Sequence, residues 1–198
     1  MALPRIYLAG PEVFLPDPLE AGRVKCAACA EFGLEGVYPL DATQALDGLT
    51  KLAQAALISA SNEALMRSCD ALIANLTPFR GVSADAGTAF EVGFMRALGR
   101  PVLGYSNTAL DLVARSRSYR GGQRLAFDCD SDSIEIEDFD MAENLMIAAA
   151  IEASASRMVC QTVAPGHEMT DLSGLRACLA DARRLLTGAA TFSQGGSA

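Results

Sequence analysis

A doubly wound parallel α/β sheet flanked by helices, in a single domain, is the architecture this sequence predicts. Three observations carry that expectation. The short apolar runs Ile6-Tyr-Leu-Ala9, Ala71-Leu-Ile-Ala-Asn-Leu76 and Val102-Leu-Gly-Tyr105 are continuous rather than alternating, as in strands covered on both faces. Segments of helical spacing separate these runs, so strand and helix alternate along the chain. The 198 residues suit one hydrophobic core, and neither an internal repeat nor a dividing linker interrupts them.

The elements follow in order. Ile6 to Ala9 is a buried strand, and Gly10-Pro-Glu-Val-Phe-Leu-Pro16 is the loop that leaves it. Leu19 to Phe32 has helical spacing and stops at Gly33. Glu35 to Leu40 is a short second strand, and residues 41–50 form a loop with room for a flap. Ala53 to Ser68 is the second helix and Asp70 to Leu76 the third strand. The next helix, capped by Asp85 or Ser83, runs to Leu98 and ends at Gly99-Arg-Pro101. Val102 to Tyr105 is the fourth strand, and residues 106–133 are expected to be a long surface excursion. Glu135-Ile-Glu137 is a short strand or an approach to a helix over Asn144 to Met158. A last helix runs from about Asp171 to Leu186, closing a domain of residues 1–186. Residues 187–198 form a Gly/Ser-rich tail.

Composition narrows the function classes. Hydrophobic residues make up 51% and charged residues 20%, the balance of a globular protein. A net charge of −8 argues against nucleic-acid binding, which needs clustered Lys and Arg. No apolar run approaches the roughly 20 residues that span a bilayer, and Met1 to Tyr7 lacks a signal-like pattern, so a cytoplasmic location with no membrane partner is expected. The six cysteines read as thiols. Cys26 and Cys29 form a CxxC with no second pair and a single distant histidine, His167, so the pair reads as helix filler and neither metal nor cofactor is expected.

Residues 75–95 carry the most chemistry. Past the third strand comes the Pro/Gly-rich turn Thr77-Pro-Phe-Arg-Gly81, then Asp85. Six residues later Glu91 sits among Phe90, Val92, Phe94 and Met95. Carboxylates seldom occupy so apolar a stretch unless paired or used. Gly87 and Gly93 thin the helix wall beside Glu91, and a helix start beyond a core strand is where open α/β sheets bind ligands. Two readings stay open: a catalytic or sugar-binding glutamate, or a helix residue paired with Arg80 or Arg96.

Together, Ile6-Tyr-Leu-Ala-Gly-Pro-Glu-Val-Phe14, Tyr38-Pro-Leu-Asp41, Cys69 to Gly81, Asp85-Ala-Gly-Thr-Ala-Phe-Glu91-Val-Gly-Phe and Glu143-Asn-Leu-Met146 resemble the nucleoside 2-deoxyribosyltransferase family, in its order. The resemblance implies a flavodoxin-like fold. It also implies transfer of 2-deoxyribose between bases through a sugar ester on a glutamate. On that resemblance Glu91 is the nucleophile, Asp85 holds the sugar hydroxyls, and the Tyr7 hydroxyl bonds the nucleophile. Phe14 walls the base pocket. Asn144 and Met146 match residues donated by a neighbouring subunit, so a homo-oligomer, dimer or higher, with shared sites is expected. Nucleosides and free nucleobases are the implied small-molecule partners. Gly87 and Asn62 complete the expected substrate-binding set.

Two features depart from the family pattern. Asn62 stands where some members have a base-contacting aspartate, and an amide supplies no proton. The chain also runs on beyond the last matched helix, where several members end with a site carboxylate. Residue by residue, plainer roles remain open: Tyr7 as a core aromatic, Asp85 and Asn144 as helix caps, Asp41 as a loop cap, and Asn62 as a solvated polar group. Arg80 is structural or faces the base. Hydrolysis of the same bond and a non-catalytic nucleoside sensor are the competing functions. Glu12 in the first loop, where relatives that hydrolyse nucleoside monophosphates carry serines and arginine, is expected to repel an anionic substrate.

Overall fold

The computed structural model describes residues 2–41, 46–120, 135–154 and 157–192, with the side chains of Asp41, Arg120 and 188–192 left aside. Five strands form one parallel sheet: β1 (Arg5–Ala9), β2 (Glu35–Val37), β3 (Ala71–Asn75), β4 (Val102–Ser106) and β5 (Val159–Cys160), in the order β2-β1-β3-β4-β5. Six helices pack around it: α1 (Pro18–Glu31), α2 (Lys51–Arg67), α3 (Ala86–Ala97), α4 (Leu112–Arg120), α5 (Leu145–Glu152) and α6 (Ser173–Phe192). This is the flavodoxin-like order, whose direction reverses between β1 and β3. That reversal opens a crevice at the carboxyl ends of the two strands.

Strand periodicity sorts the core into two layers. Ile6 and Leu8 of β1 and Ile73 of β3 face α1 and α6, where Cys29, Leu175 and Leu179 complete a buried cluster. Tyr7 and Ala9 of β1 and Leu72 and Ala74 of β3 face the other way, onto Val92 and Met95 of α3, Met66 of α2 and Ile151 of α5. Tyr7 therefore reaches α3 because of its place in the alternation. Cys26 and Cys29 sit in the α1 layer, where the Cys26 thiol lies 3.5 Å from the Gly36 carbonyl and Cys29 is buried.

Side-chain caps set the helix starts. Asp17, Thr50, Asp85 and Asn144 accept from the backbone N–H of Glu20, Ala53, Thr88 and Met146 respectively, at 3.0 to 3.3 Å. Of the two residues able to cap α3, Asp85 does so. Gly99, at φ 70°, follows α3 in the left-handed conformation that ends helices.

The structure corrects several boundaries. The expected excursion after β4 contains α4, whose Arg/Ser-rich sequence hides the helix. Asp111 accepts from Ala114 N–H at 2.6 Å to start it, and Arg115 buries its guanidinium against the rest of the chain. The helix expected to reach Met158 stops at Glu152, and the chain then forms β5 on the edge of β4. Ser154 makes that exit, bonding back to the Ala150 carbonyl at 3.2 Å and accepting from Val102 N–H at 3.0 Å. At the C-terminal side, α6 continues past Leu186 to Phe192. Residues 42–45, residues 121–134, which take in the second half of the expected excursion, and 193–198 of the tail lie outside the described residues, as does the Asp41 side chain.

A buried ion pair sits beneath the crevice. Lys25 Nζ of α1 meets Glu12 Oε1 at 2.7 Å, and both side chains are 2% exposed. The same oxygen accepts from Asn75 Nδ2 at 3.0 Å and from the Tyr105 hydroxyl at 3.3 Å. Removing one member of such a pair strands the other charge. Lys25→Met is therefore expected to cost about 3–5 kcal/mol in urea unfolding. Glu12→Gln/Lys25→Met, which removes both charges at similar volume, should recover most of the loss; equal stability of the single and double variants would refute this.

Candidate active site

Glu91 lies in the middle of α3, not at its start as the sequence reading placed it. Its partner is neither Arg80 nor Arg96 but the Tyr7 hydroxyl, which donates to Glu91 Oε1 at 2.7 Å. The contact spans 84 positions of sequence and joins the centre of β1 to the face of α3. Tyr7 itself is fully buried, and its hydroxyl gives this hydrogen bond to Glu91 from within the core.

The carboxylate opens onto a cleft of about 410 Å³ between α2 and α3. Ile58, Asn62 and Met66 line it from α2, and Gly87, Phe90 and Glu91 from α3. A Cβ at Gly87 would meet little but Asp85 Oδ2 at 3.0 Å, so the glycine leaves the cleft floor open beside both carboxylates. Gly93 borders open space and is not part of the lining. A hollow of about 740 Å³ elsewhere has a charged lining in which Asp140, Glu152 and Arg157 are all exposed, unlike the half-buried Glu91.

Electrostatics distinguish Glu91. Burial pushes its pKa up from 4.5 to about 7. The Tyr7 hydrogen bond pulls it down, the Asp85 charge pushes it up, and Lys25 pulls it down. Burial, followed by the charge and hydrogen bonding of Glu91, drives the Tyr7 phenol well above its ordinary range, so it stays a donor. Asp85 spends Oδ2 on Thr88, N–H at 3.0 Å and hydroxyl at 3.3 Å; its Oδ1 accepts no hydrogen bond among the described residues. Cap and ligand roles are therefore compatible in one side chain.

Phe14 stands at the end of the first loop, 53% exposed, with its ring stacked on Phe79 at 5.4 Å. The Arg80 guanidinium lies over both rings, 4.7 Å from Phe14 and 4.5 Å from Phe79. Arg80 takes this position with φ 55°, a left-handed backbone that a non-glycine residue adopts at a cost. The sequence reading left Arg80 undecided; the Phe14–Phe79–Arg80 stack became visible only in three dimensions.

Asn62 reaches the cleft from α2, whereas Phe14, Asp85, Asn144 and Met146 are not among the residues that line it. Asn144 caps α5 and donates to Glu137 Oε2 at 2.9 Å, and Met146 is 73% exposed beside it. Glu12 requires a correction. Its charge is met inside the protein by Lys25, so it sets up no repulsion against an incoming anion. A Cβ at Gly10 would fall 2.0 Å from Glu12 Oε2, which accounts for the glycine there.

The raised Glu91 pKa has a stability consequence whose sign is fixed. Between pH 4.5 and about 7 the folded protein holds a proton that the unfolded chain releases, so stability falls as pH rises through that window. Relative to Glu91→Gln, the wild type is expected to lose on the order of 2 kcal/mol of urea-unfolding stability from pH 4.5 to pH 8. In Tyr7→Phe, which lacks the bond favouring the charged form, the loss should extend to higher pH. A wild type and Glu91→Gln that run parallel across this range would show that Glu91 titrates normally.

Comparisons with known proteins agree with this architecture. The family model for nucleoside 2-deoxyribosyltransferases matches residues 6–146. The solved 2-desoxiribosyltransferase from Leishmania mexicana is similar at 34% identity and TM-score 0.55, over 73% of this chain and 85% of that one. A conserved protein from Enterococcus faecalis V583 aligns over 91% of this chain and 99% of its own at TM-score 0.53, and at 18% identity the likeness shows the fold alone. An uncharacterised protein of Schizosaccharomyces pombe, C191.05c, is 35% identical over 120 residues, 60% of this chain; the match spans 57% of that relative's length. The matched segment holds both carboxylates, Tyr7 and the whole α2–α3 cleft, and the chain belongs to the nucleoside 2-deoxyribosyltransferase family.

Proposed function

We propose that the protein cleaves the N-glycosidic bond of 2′-deoxynucleosides and transfers the sugar to another base through an ester on Glu91. The observation that carries this reading is the Tyr7–Glu91 bond at the edge of an open cleft, with the Asp85 charge acting on Glu91. A carboxylate under C1′ of the sugar attacks as the glycosidic bond breaks through an oxocarbenium-like transition state. Tyr7 holds Oε1, leaving the other oxygen to bond the carbon. Asp85 Oδ1 accepts from the sugar hydroxyls while Oδ2 keeps the helix cap. Two displacements at one carbon return the original anomeric configuration.

The departing base carries its electrons away and needs a donor. The Asn62 amide offers hydrogen bonds from α2, and Phe14 supplies an aromatic wall stiffened by Phe79 and Arg80. Hydrolysis shares the Glu91 ester and differs only in admitting water to it. Since Glu12 is paired internally, nucleoside 5′-monophosphates are substrates to be compared directly with nucleosides.

Incubation with 2′-deoxyinosine, with and without adenine, tests the reading by chromatography. 2′-Deoxyadenosine is the expected product; free deoxyribose as the main product would make the protein a hydrolase. No base release from nucleoside or 5′-monophosphate would make it a binder. Glu91→Gln should abolish turnover with its fold retained, and a 2-deoxy-2-fluoro nucleoside should leave one sugar mass on the Glu91 peptide.

A homo-oligomer with shared sites completes the proposal. The cleft is open on a face where Ile58 and Phe90 are 45% and 58% exposed, and Asn144 and Met146 stand away from it in their own chain. A two-fold partner that gives its Asn144 edge and receives the same would cover the cleft and exclude water. Hybrids of Glu91→Ala and Asn144→Ala subunits are expected to regain activity, because one site in each carries both lesions and the other neither. A monomer by light scattering, or inactive hybrids of verified composition, would refute sharing.

A further inference from the structure

Arg115 and Glu143 form a second buried ion pair, 8% and 0% exposed, with Nη2 to Oε2 at 2.9 Å. Between them the two ends of this pair grip the three residues that precede Asp85. Arg115 Nε donates to the Val82 carbonyl at 2.6 Å while Nη1 donates to the Leu110 carbonyl at 2.6 Å. Glu143 accepts from the Ser83 hydroxyl and from Ala84 N–H at 3.3 Å. It also accepts, at 3.0 Å, from the N–H of Asn144, the cap of α5. One carboxylate thus ties the loop leading into α3 to the start of α5, and one guanidinium fork spans three segments.

We propose that the Arg115–Glu143 pair is a positioning device for the sugar-binding half of the site, holding Asp85 in place through the loop that leads into α3. The proposal rests on the function assigned above to Asp85. Ala84 adjoins Asp85, so displacement of the loop passes directly into the Asp85 carboxylate. Glu91 lies further along α3 and is held separately by Tyr7 from β1. Loosening the pair therefore disturbs the grip on the sugar hydroxyls while the Tyr7 bond to the nucleophile is kept. A buried ion pair earns little net stability, because desolvation offsets the attraction, whereas its geometry is rigid. Placement of this pair against the Asp85 loop puts that rigidity to use.

A double-mutant cycle tests the proposal. Arg115→Lys keeps the charge but one ammonium cannot reach Val82, Leu110 and Glu143 together. It should lower kcat/KM for 2′-deoxyinosine by about tenfold, yet by less than about twofold in an Asp85→Asn background. Any shift in the pH dependence set by Glu91 should be downward, because moving the Asp85 carboxylate away removes a charge that raises it. Deuterium uptake at the amides of Ala84 to Thr88 should rise, with β1 and β3 unchanged. Losses that multiply across the cycle, a pH profile shifted upward, or unchanged uptake at Ala84 to Thr88 would overturn the proposal. If Arg115→Lys fails to fold by circular dichroism, Glu143→Gln, which keeps shape but cannot accept from all four donors, is read by the same measurements. A wild type that turns over no deoxynucleoside would instead refute the function, and the deuterium uptake would then decide the positioning role by itself.

Discussion

The hydrogen bond from Tyr7 to Glu91 is the constraint on which the candidate site depends. A carboxylate half-buried among apolar side chains is costly to ionise, and one phenol offsets part of that cost. The phenol can do so only because Tyr7 lies on the α3 face of β1, with Ile6 and Leu8 turned to the α1 and α6 face. A one-residue slip in the pairing of β1 with β3 would send Tyr7 into the opposite layer and leave Glu91 without a donor. Sheet register and catalytic ionisation are in this way one property.

Polar groups beneath and beside the crevice serve the same geometry. At the reversal between β1 and β3, Glu12 receives Lys25, Asn75 and Tyr105. Asn75 in turn accepts from Thr77, whose hydroxyl accepts from Asn107 N–H at 3.0 Å. These contacts anchor the loop bearing Phe14 to the ends of β3 and β4. On the other side Arg115 and Glu143 anchor the loop bearing Asp85. Loops that carry a site are ordinarily the softer parts of a fold. Here both are fastened by buried charges whose partners come from distant sequence.

Much of the fold was legible because its signals are local. The continuous apolar runs at Ile6 and Ala71 marked central parallel strands, and Gly33 and Gly99 marked helix ends. Asp85 ahead of Ala86 marked a helix start. The failures share a cause. Helix α4 is polar by composition and is held by Asp111 and by the buried Arg115. Strand β5 exists because Ser154 breaks α5 and the edge of β4 offers unpaired backbone. Glu12 looked like an exposed acid because nothing near it in sequence reveals that Lys25, 13 positions on, turns inward to meet it.

The sequence by itself determined the alternation of strand and helix, the two-layer core, and the carboxylates at positions 85 and 91 in an apolar frame. Those properties follow from periodicity, capping and side-chain chemistry within a few residues. The bond from Tyr7 to Glu91 that the resemblance implied is present, but only the tertiary structure decided which charges are neutralised and which residues share the cleft. Asn62 and Gly87 meet across α2 and α3, Arg80 settles on Phe14 and Phe79, and Asn144 spends its side chain on the start of α5. The physical reason is range. Hydrophobic spacing acts along the chain, whereas ion pairing and pKa depend on groups brought within a few ångströms by packing.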